Sequence, residues 1–464
     1  MENRNLLVAI LLCAAVILGW EYFVAIPHMN AQKAAQTTVM QQEKKQGVAP
    51  AKAPAANAPA IGEGAAHLSR AQALKLGGGR IVIDTPTVDG SLRLKGARFD
   101  DLRLKHYRET VDPKSPEIVL LSPTGTSYPY YAEFGWVAAS SAHVVLPTDS
   151  TVWTQVGSGK LSPGHPVTIA WDNGHGLIFR RTIAVDDQFM FTVNDTVTNK
   201  SATAHTLFPY AYVARDGLPN TQHYWAVHEG FVGVADGTLK DSKYTDFKPD
   251  TAPETFHSTG GWLGITDKYW MAAVIPPQKS AFDGTYRTSM IGGTQAYQAD
   301  YRLSGTSVPP GQTVSVTHRL FAGAKVVSII QNYEEKLGID RFDLAIDWGW
   351  FFFFTKPIFL LLDFFYRLIG NFGIAIMLLT LTIKLIFFPI ANTSYKSMSR
   401  MKKLQPEMER IKARFAEDRV RQQQEMMELY KREKVNPVSG CLPMLLQIPV
   451  FFSLYKVIFV TIEM

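Results

Sequence analysis

Cysteine is almost missing from this sequence. Its 464 residues hold two, Cys13 and Cys441, each in or beside an apolar segment. The long region between them therefore has no internal disulfide, even if it is exported to an oxidising compartment. The size of its core has to hold it together. Chemistry-bearing motifs are missing too. No HExxH helix, no nucleophile elbow and no nucleotide-binding motif occurs, which removes the common zinc-protease, α/β-hydrolase and nucleotide-driven readings. No cofactor and no metal is expected. Excess charge is small, with a formal net charge of +6, so its distribution matters more than its total. Mean hydropathy is near zero, yet the apolar residues gather at the two ends around a soluble-looking middle. A chain this long is expected to hold at least two folding units.

The N-terminus reads MENRNLLVAILLCAAVILGWEYFVAI. Its run from Leu6 to Ile26 is broken only by Glu21, near the far end. That suits a full span of about 20 residues better than a signal core of roughly 7–15. No small-x-small cleavage site follows at Pro27, His28 and Met29. Residues 1–27 are read as an uncleaved anchor, with Arg4 inside and Trp20 and Tyr22 near the outer interface. Residues 28–60, rich in Ala, Gln, Lys and Pro, cannot bury a core and are expected to form a flexible tether.

Residues 61–324 change texture. Short runs such as RIVIDT, SLRLKGARF, PVTIAW, LIFRRTIAV and TVSVTHRLF alternate apolar and polar positions, punctuated by Gly, Pro, Asn and Asp. The period of two and the β-branched content predict a large antiparallel β-sandwich. Asp172 and His175 in WDNGHG, with His205, His223, His228 and Glu229, tempt a catalytic reading, and sandwiches of this size often bind sugars. Histidines at strand edges and loops are ordinarily solvated or hydrogen-bonded in place, and a fold alone does not license a function.

Residues 325–370 hold a helical linker, KVVSIIQNYEEKLGI, and then DWGWFFFFTKPIFLLLDFFYRLIG. Lys356, Asp363 and Arg367 are spaced seven and four apart, so they share one helix face. Pro357 is placed at a helix start. This segment is read as an amphipathic helix lying on the outer membrane surface.

Two spans are expected, residues 371–392 and 441–464. The first contains TLTIKLIFFPI, in which Lys384 interrupts an apolar run. A lysine near mid-membrane costs roughly 2.5–3.5 kcal/mol. Two readings offset that cost. The side chain snorkels toward Asn392, about 12 Å away along the helix, or the charge serves a hydrated site. Thr380 lies one turn away on the Lys384 face, and Gln447 and Ser453 add polarity to the spans. Lys456 is read as snorkelling outward.

Between the spans, residues 393–440 carry twelve cations and seven anions. That bias places the segment in the cytoplasm. Tyr395, Met398, Met401, Leu404, Met408, Ile411 and Phe415 recur every three or four residues as one stripe. Asp418 is a good N-cap for a second helix, Arg419 to Lys434, which Asn436-Pro437 stops. The pair is either a helical hairpin with solvated charges or a basic, Met-rich docking surface. In the second case Lys402, Lys403 and Arg410 would meet the ribosome, signal-recognition components or a nascent chain.

In this order, NFGIAIMLLTLTIKLIFFPI, LQPEM, QEMMELYKREKVNP and GCLPMLLQIPVFFSLY resemble the YidC family of bacterial inner-membrane protein insertases. The N-terminal anchor, Ala/Pro linker and β-domain match the Gram-negative form. The resemblance implies a periplasmic β-supersandwich similar to sugar-mutarotase-like domains, without catalysis. It implies insertion and chaperoning of nascent inner-membrane proteins in the lipid bilayer, alone or with the Sec translocon. It also implies that Lys384 matches the cation, usually arginine, of a water-filled groove open to cytoplasm and lipid. There it would attract acidic groups of a substrate's translocated tail. Ile448 and Phe451 would be sliding positions for the substrate's apolar segment. Lysine keeps the point charge and loses the bidentate fork. The family continues for three further spans and a basic tail beyond Met464, so half a groove is expected here.

Two other classes compete. A membrane-tethered carbohydrate-binding or sugar-converting module would need neither Lys384 nor the charged hairpin. A transporter would show paired polar spans or broken-helix repeats, which this sequence lacks.

Overall fold

The computed structural model describes residues 68–139, 142–218, 227–248, 251–433, 435 and 442–463. The expected anchor and linker, both cysteines, His223 and the Asn436-Pro437 stop lie outside the described residues. The described chain divides into two compact units. One comprises residues 68–349 with 458–463, and the other residues 350–457.

The first unit is the expected antiparallel β-sandwich. Its first sheet runs, in spatial order, Arg80–Asp84, Val88–Arg93, Arg98–Arg108, Tyr130–Ala138, His205–Asp216, Thr294–Leu303, Ala281–Ile291 and Glu254–Thr259. Its second runs Thr238–Lys243, Gly230–Ala235, Gly261–Thr266, Trp270–Ile275, Thr313–Ala324, Met190–Asn199, Leu177–Val185, Val167–Asp172 and Thr154–Val156. The paired strands are antiparallel throughout.

The alternation seen in LIFRRTIAV is the alternation of burial. Leu177, Phe179, Arg181, Ile183 and Val185 point inward, and their neighbours are less buried. The inward arginine breaks the apolar rule and is fully partnered. Its guanidinium grips the Asp195 carboxylate at 2.6 and 2.9 Å and donates to the Phe134 carbonyl of the facing sheet at 2.7 Å. Phe99, Phe134 and Phe191 pack edge to face beside it. Tyr130 also bridges the sheets, donating to Ile265 O at 2.8 Å and accepting from Ala272 N–H at 3.1 Å. Taking one partner from a buried ion pair like Arg181–Asp195 costs about 3–5 kcal/mol, because it strands the other charge.

Two helices complete this unit. Helix α1, Arg70–Leu76, starts with a capping box between Ser69 and Gln72. Helix α2, Val327–Leu337, ends at Gly338 in the left-handed region, where glycine carries no Cβ penalty. Residues after the last strand belong to the sandwich core. Ile330, Tyr333, Ile339 and Phe342 are buried. Tyr333 donates to Asp186 at 2.7 Å and accepts from Phe189 N–H at 3.0 Å. The compact unit therefore continues to Gly349, past the expected strand boundary at Ala324.

Three of the polar residues that suggest a catalytic reading have local hydrogen-bond partners. Asp172 accepts from Gly174 N–H at 2.9 Å, and His228 Nε2 sits 2.8 Å from Phe231 O. His205 Nε2 lies 3.1 Å from the Ser201 hydroxyl. Among the described residues, no three His, Cys, Asp or Glu side chains gather as a metal site.

Candidate functional site

The second unit is helical. Helix α3, Phe352–Ile369, buries Thr355, Ile358, Phe359 and Leu362, which repeat at three- and four-residue spacing. Asp363 and Arg367 pair at 2.7 Å on its more exposed side. Pro357 does not start this helix, contrary to the sequence expectation. The helix begins five residues earlier, on the aromatic run. There Phe351 O accepts from the Phe354 and Thr355 amides and the Thr355 hydroxyl at 2.8–3.0 Å. That turn needs no N–H from Pro357, whose ring is tolerated close to a helix start.

Gly370, left-handed, ends α3, and its N–H donates to Tyr366 O at 2.6 Å. Asn371 then caps helix α4, Phe372–Lys403, accepting from Ile374 N–H at 3.2 Å. Tyr366 stacks on Phe372 with ring centres 3.7 Å apart. A glycine stop followed at once by an asparagine cap ends α3 and starts α4 with one residue, Asn371, between Gly370 and Phe372.

Helix α4 carries the candidate charge. It has 32 residues, so about 48 Å of rise against a hydrocarbon core of about 30 Å. It is the one described helix long and apolar enough to cross a membrane by length and composition. It does not end at Asn392, where the expected span ends. It continues to Lys403, because nothing between Ala391 and Met401 breaks it. The break comes at Leu404, two residues before Pro406. The stripe from Tyr395 to Phe415 is thereby split between two helices.

Lys384 is exposed on α4, and Thr380 is exposed one turn before it. The Thr380 hydroxyl donates to Ile376 O at 2.8 Å, and Thr382 donates likewise to Leu378 O. Each hydroxyl proton is thus committed to the backbone. Thr380 offers a neighbour its oxygen lone pairs rather than a donor.

Helices α5, Gln405–Arg414, and α6, Arg419–Arg432, form the hairpin. Asp418 caps α6 as expected, accepting from Arg421 N–H at 3.0 Å. Gln422 donates to Lys412 O at 3.1 Å, and Arg432 pairs with Glu407 at 2.9 Å. Tyr430 points its hydroxyl at the Met408 sulfur, 3.9 Å away. Met408, Ile411 and Phe415 are half-buried, while Tyr395 and Met398 on α4 are exposed. Lys402 and Lys403 end α4, Arg410 sits on α5, and all three are exposed.

Helix α7, Leu442–Val460, has 19 residues with Pro449 inside. Ile448 and Phe451 are exposed and one turn apart. Gln447 is half-buried. Ser453 lies on another face with buried Val450 and Val457, and its oxygen has no hydrogen-bond partner among the described residues. Lys384 and Thr380 are thus brought together by α4, and Ile448 and Phe451 by α7. The caps at Gly370 and Asn371 were not read in advance, although the adjacent Gly-Asn pair signals them.

The family model "YidC periplasmic domain" matches residues 80–361, and "60Kd inner membrane protein" matches residues 364–464. The Methylobacterium radiotolerans protein named membrane protein insertase YidC is 50% identical over 485 residues, covering 100% of this chain and 78% of that protein. The protein of the same name from Bradyrhizobium diazoefficiens is 46% identical over 484 residues, with 100% and 78% covered. A galactose mutarotase-like protein from Lactobacillus casei superposes on 53% of the chain and 100% of its own, at 10% identity and a TM-score of 0.35, too distant to carry an argument. With relatives this close along its whole length, the chain belongs to the YidC family of membrane protein insertases.

Proposed function

We propose that this chain acts as a membrane protein insertase and chaperone rather than as an enzyme, and that Lys384 is its working charge. The observation that carries the reading is one exposed lysine in the middle of the apolar stretch of α4, in a chain of this family. The nascent protein's polar tail has to cross a layer that penalises charge. A hydrated groove lined by Thr380, Gln447 and Ser453 would lower that penalty. Lys384 would draw acidic tail groups into it by Coulomb attraction. The substrate's apolar segment would then leave for lipid along Ile448 and Phe451.

On this reading the chain lies in the bacterial inner membrane. Residues 1–27, 371–392 and 441–464 cross it, and 325–370 include an interfacial helix. The β-unit faces the periplasm, and residues 393–440 face the cytoplasm. The positive-inside bias of the hairpin supports that orientation. Lys402, Lys403 and Arg410 offer a basic surface to the ribosome, and the Sec translocon is a proposed partner.

Water access tests the groove. With Cys13 and Cys441 replaced by serine, Thr380→Cys supplies a single thiol on the Lys384 side. A membrane-impermeant maleimide added from the cytoplasmic face should label it. Complete protection of that thiol, in a protein that still inserts substrates, would sink the hydrated groove.

A further inference from the structure

Helix α4 holds a proline in its interior. Pro389 lies in the middle of the 32-residue run Phe372–Lys403, which stays helical through it. Proline has no backbone N–H, so the carbonyl four residues earlier, that of Leu385, cannot receive its ordinary helical bond. At a helix start the missing N–H would have had no helical partner anyway. In mid-helix its loss leaves an acceptor unserved. Within hydrocarbon such a backbone group is tolerated only beside water or protein donors.

Leu385 directly follows Lys384, and Pro389 stands three residues before Asn392, where the expected span ends. A charge and an unserved carbonyl, the two groups of α4 that lipid penalises most, are thus neighbours in the chain. The residues four after Leu378 and four after Pro389 are threonines. Their hydroxyls donate to those carbonyls at 2.8 and 2.9 Å. The residue four after Leu385 is the proline, which donates nothing.

Helical carbonyls point toward the C-terminus, here the cytoplasmic end on the proposed topology. The Lys384 stem leaves the other way, because helical Cα–Cβ bonds tilt toward the N-terminus. Along the helix axis the Leu385 carbonyl therefore lies between Lys384 and the nearest water. On the far side of Lys384, Thr380 commits its proton to Ile376 O at 2.8 Å and keeps only lone pairs to offer.

We propose that Pro389 is a positioning residue of the groove. By withholding an N–H it keeps the Leu385 carbonyl open as a fixed acceptor, and water held there hydrates Lys384. The proposal rests on the groove reading of Lys384. Water is the occupant because the ammonium only donates and the carbonyl only accepts, and a molecule that does both bridges them.

Labelling and insertion by the full chain in proteoliposomes test this, with Cys13 and Cys441 replaced by serine. Pro389→Ala restores the N–H. The probe is a membrane-impermeant maleimide added from the cytoplasmic side to a single thiol at Thr380→Cys. Ser399→Cys, exposed near the end of α4, is the control. Pro389→Ala should slow labelling at 380 several-fold and leave 399 unchanged. With Lys384 present it should also slow insertion of a single-span substrate with an acidic tail several-fold. In a Lys384→Ala background it should slow insertion by no more than about twofold, since residues acting through one interaction do not add.

A thiol at 380 that stays protected with Pro389 in place defeats the groove reading, and this proposal with it. Equal labelling at 380 with and without Pro389 overturns the positioning role alone. Equal slowing of insertion in both Lys384 backgrounds overturns it too, and marks the proline as shaping the helix only.

Discussion

The Tyr301 hydroxyl and His318 Nδ1 meet at 2.5 Å between the two sheets of the sandwich, both fully buried. Burial pushes the imidazole down from 6.5 to about 4. Above the ordinary value both folded and unfolded chains hold it neutral, and it adds no pH dependence. Between pH 6.5 and 4 the unfolded chain takes up a proton that the folded one refuses. Stability therefore falls with falling pH in that window and levels off below it, by about 3 kcal/mol in all. Burial pushes the Asp216 carboxyl up to about 6, which acts with the opposite sign in the same window, so the His318 contribution is read as the difference between parent and His318→Gln in urea unfolding of residues 61–349 at pH 7.5, 5.5 and 4.5. His318→Gln should be less stable at neutral pH, and its deficit should shrink as pH falls to 4.5. An unchanged slope in that variant would place the proton uptake elsewhere.

The boundary of this unit makes a second prediction. A fragment of residues 61–349 should fold as a soluble, cysteine-free β-unit, indifferent to reducing agent. A fragment of residues 61–324 lacks Ile330, Tyr333, Ile339 and Phe342, all buried. It also leaves Trp262, against which Phe342 packs edge to face, open to water. Each lost apolar side chain is worth roughly 1.5–3 kcal/mol. The shorter fragment should therefore melt well below the longer one or remain unfolded. Equal melting temperatures by circular dichroism would show that the segment after Ala324 is not part of the core.

The strands were legible because one of their faces is wet. LIFRRTIAV alternates in sequence because it alternates in burial. Gly230–Ala235 and Gly261–Thr266 are buried at every position, so period two carries no signal there. Arg98, Glu133, Arg181 and Asp195 are all buried. A charge on a strand reads as an outward position, and only its pairing across neighbouring strands, Asp195 opposite Arg181 and Glu133 against Arg98, turns it inward. In the helical unit, Asp418 was legible because a cap acts within three residues. The continuation of α4 past Asn392 was not, because membrane thickness marks where a span leaves lipid and says nothing of where its helix stops. Lys384 stood out for the opposite reason, as a charge where burial cost forbids one. Which water or helix faces it is a matter of packing, which one segment does not encode.

The hairpin predicts a salt-sensitive function. Lys402 and Lys403 end α4 and Arg410 follows on α5, all exposed. Reversing all three to glutamate should leave the Arg432–Glu407 pair and the Asp418 cap intact, and so the hairpin helical. Ribosome cosedimentation at low salt should fall about tenfold or more, with the difference closing as salt screens the charges. Co-translational insertion should weaken in parallel. Unaltered cosedimentation and insertion would leave the hairpin as a solvated helical pair.

Lys384 yields the sharpest test. If a positive charge in a wet groove is what matters, Lys384→Arg should retain insertion, Lys384→Ala should impair it, and Lys384→Glu should be worst. Two unit charges near 4 Å attract by about 1 kcal/mol in water and about 4 kcal/mol at a partly screened surface. The alanine variant should therefore lose between several-fold and several-hundred-fold in insertion rate. The loss should concentrate on single-span substrates with short acidic translocated tails, since the attraction acts on those groups directly. Neutralising the tail's carboxylates should shrink the gap between the parent and Lys384→Ala. Snorkelling predicts the reverse pattern. The alanine variant would then insert every substrate normally, and α4 would gain stability by shedding a charge that costs roughly 2.5–3.5 kcal/mol at mid-membrane. Insertion rates of acidic and neutralised tails, measured side by side in proteoliposomes containing each Lys384 variant, separate the two accounts without reference to how much protein is folded, because each variant is its own control.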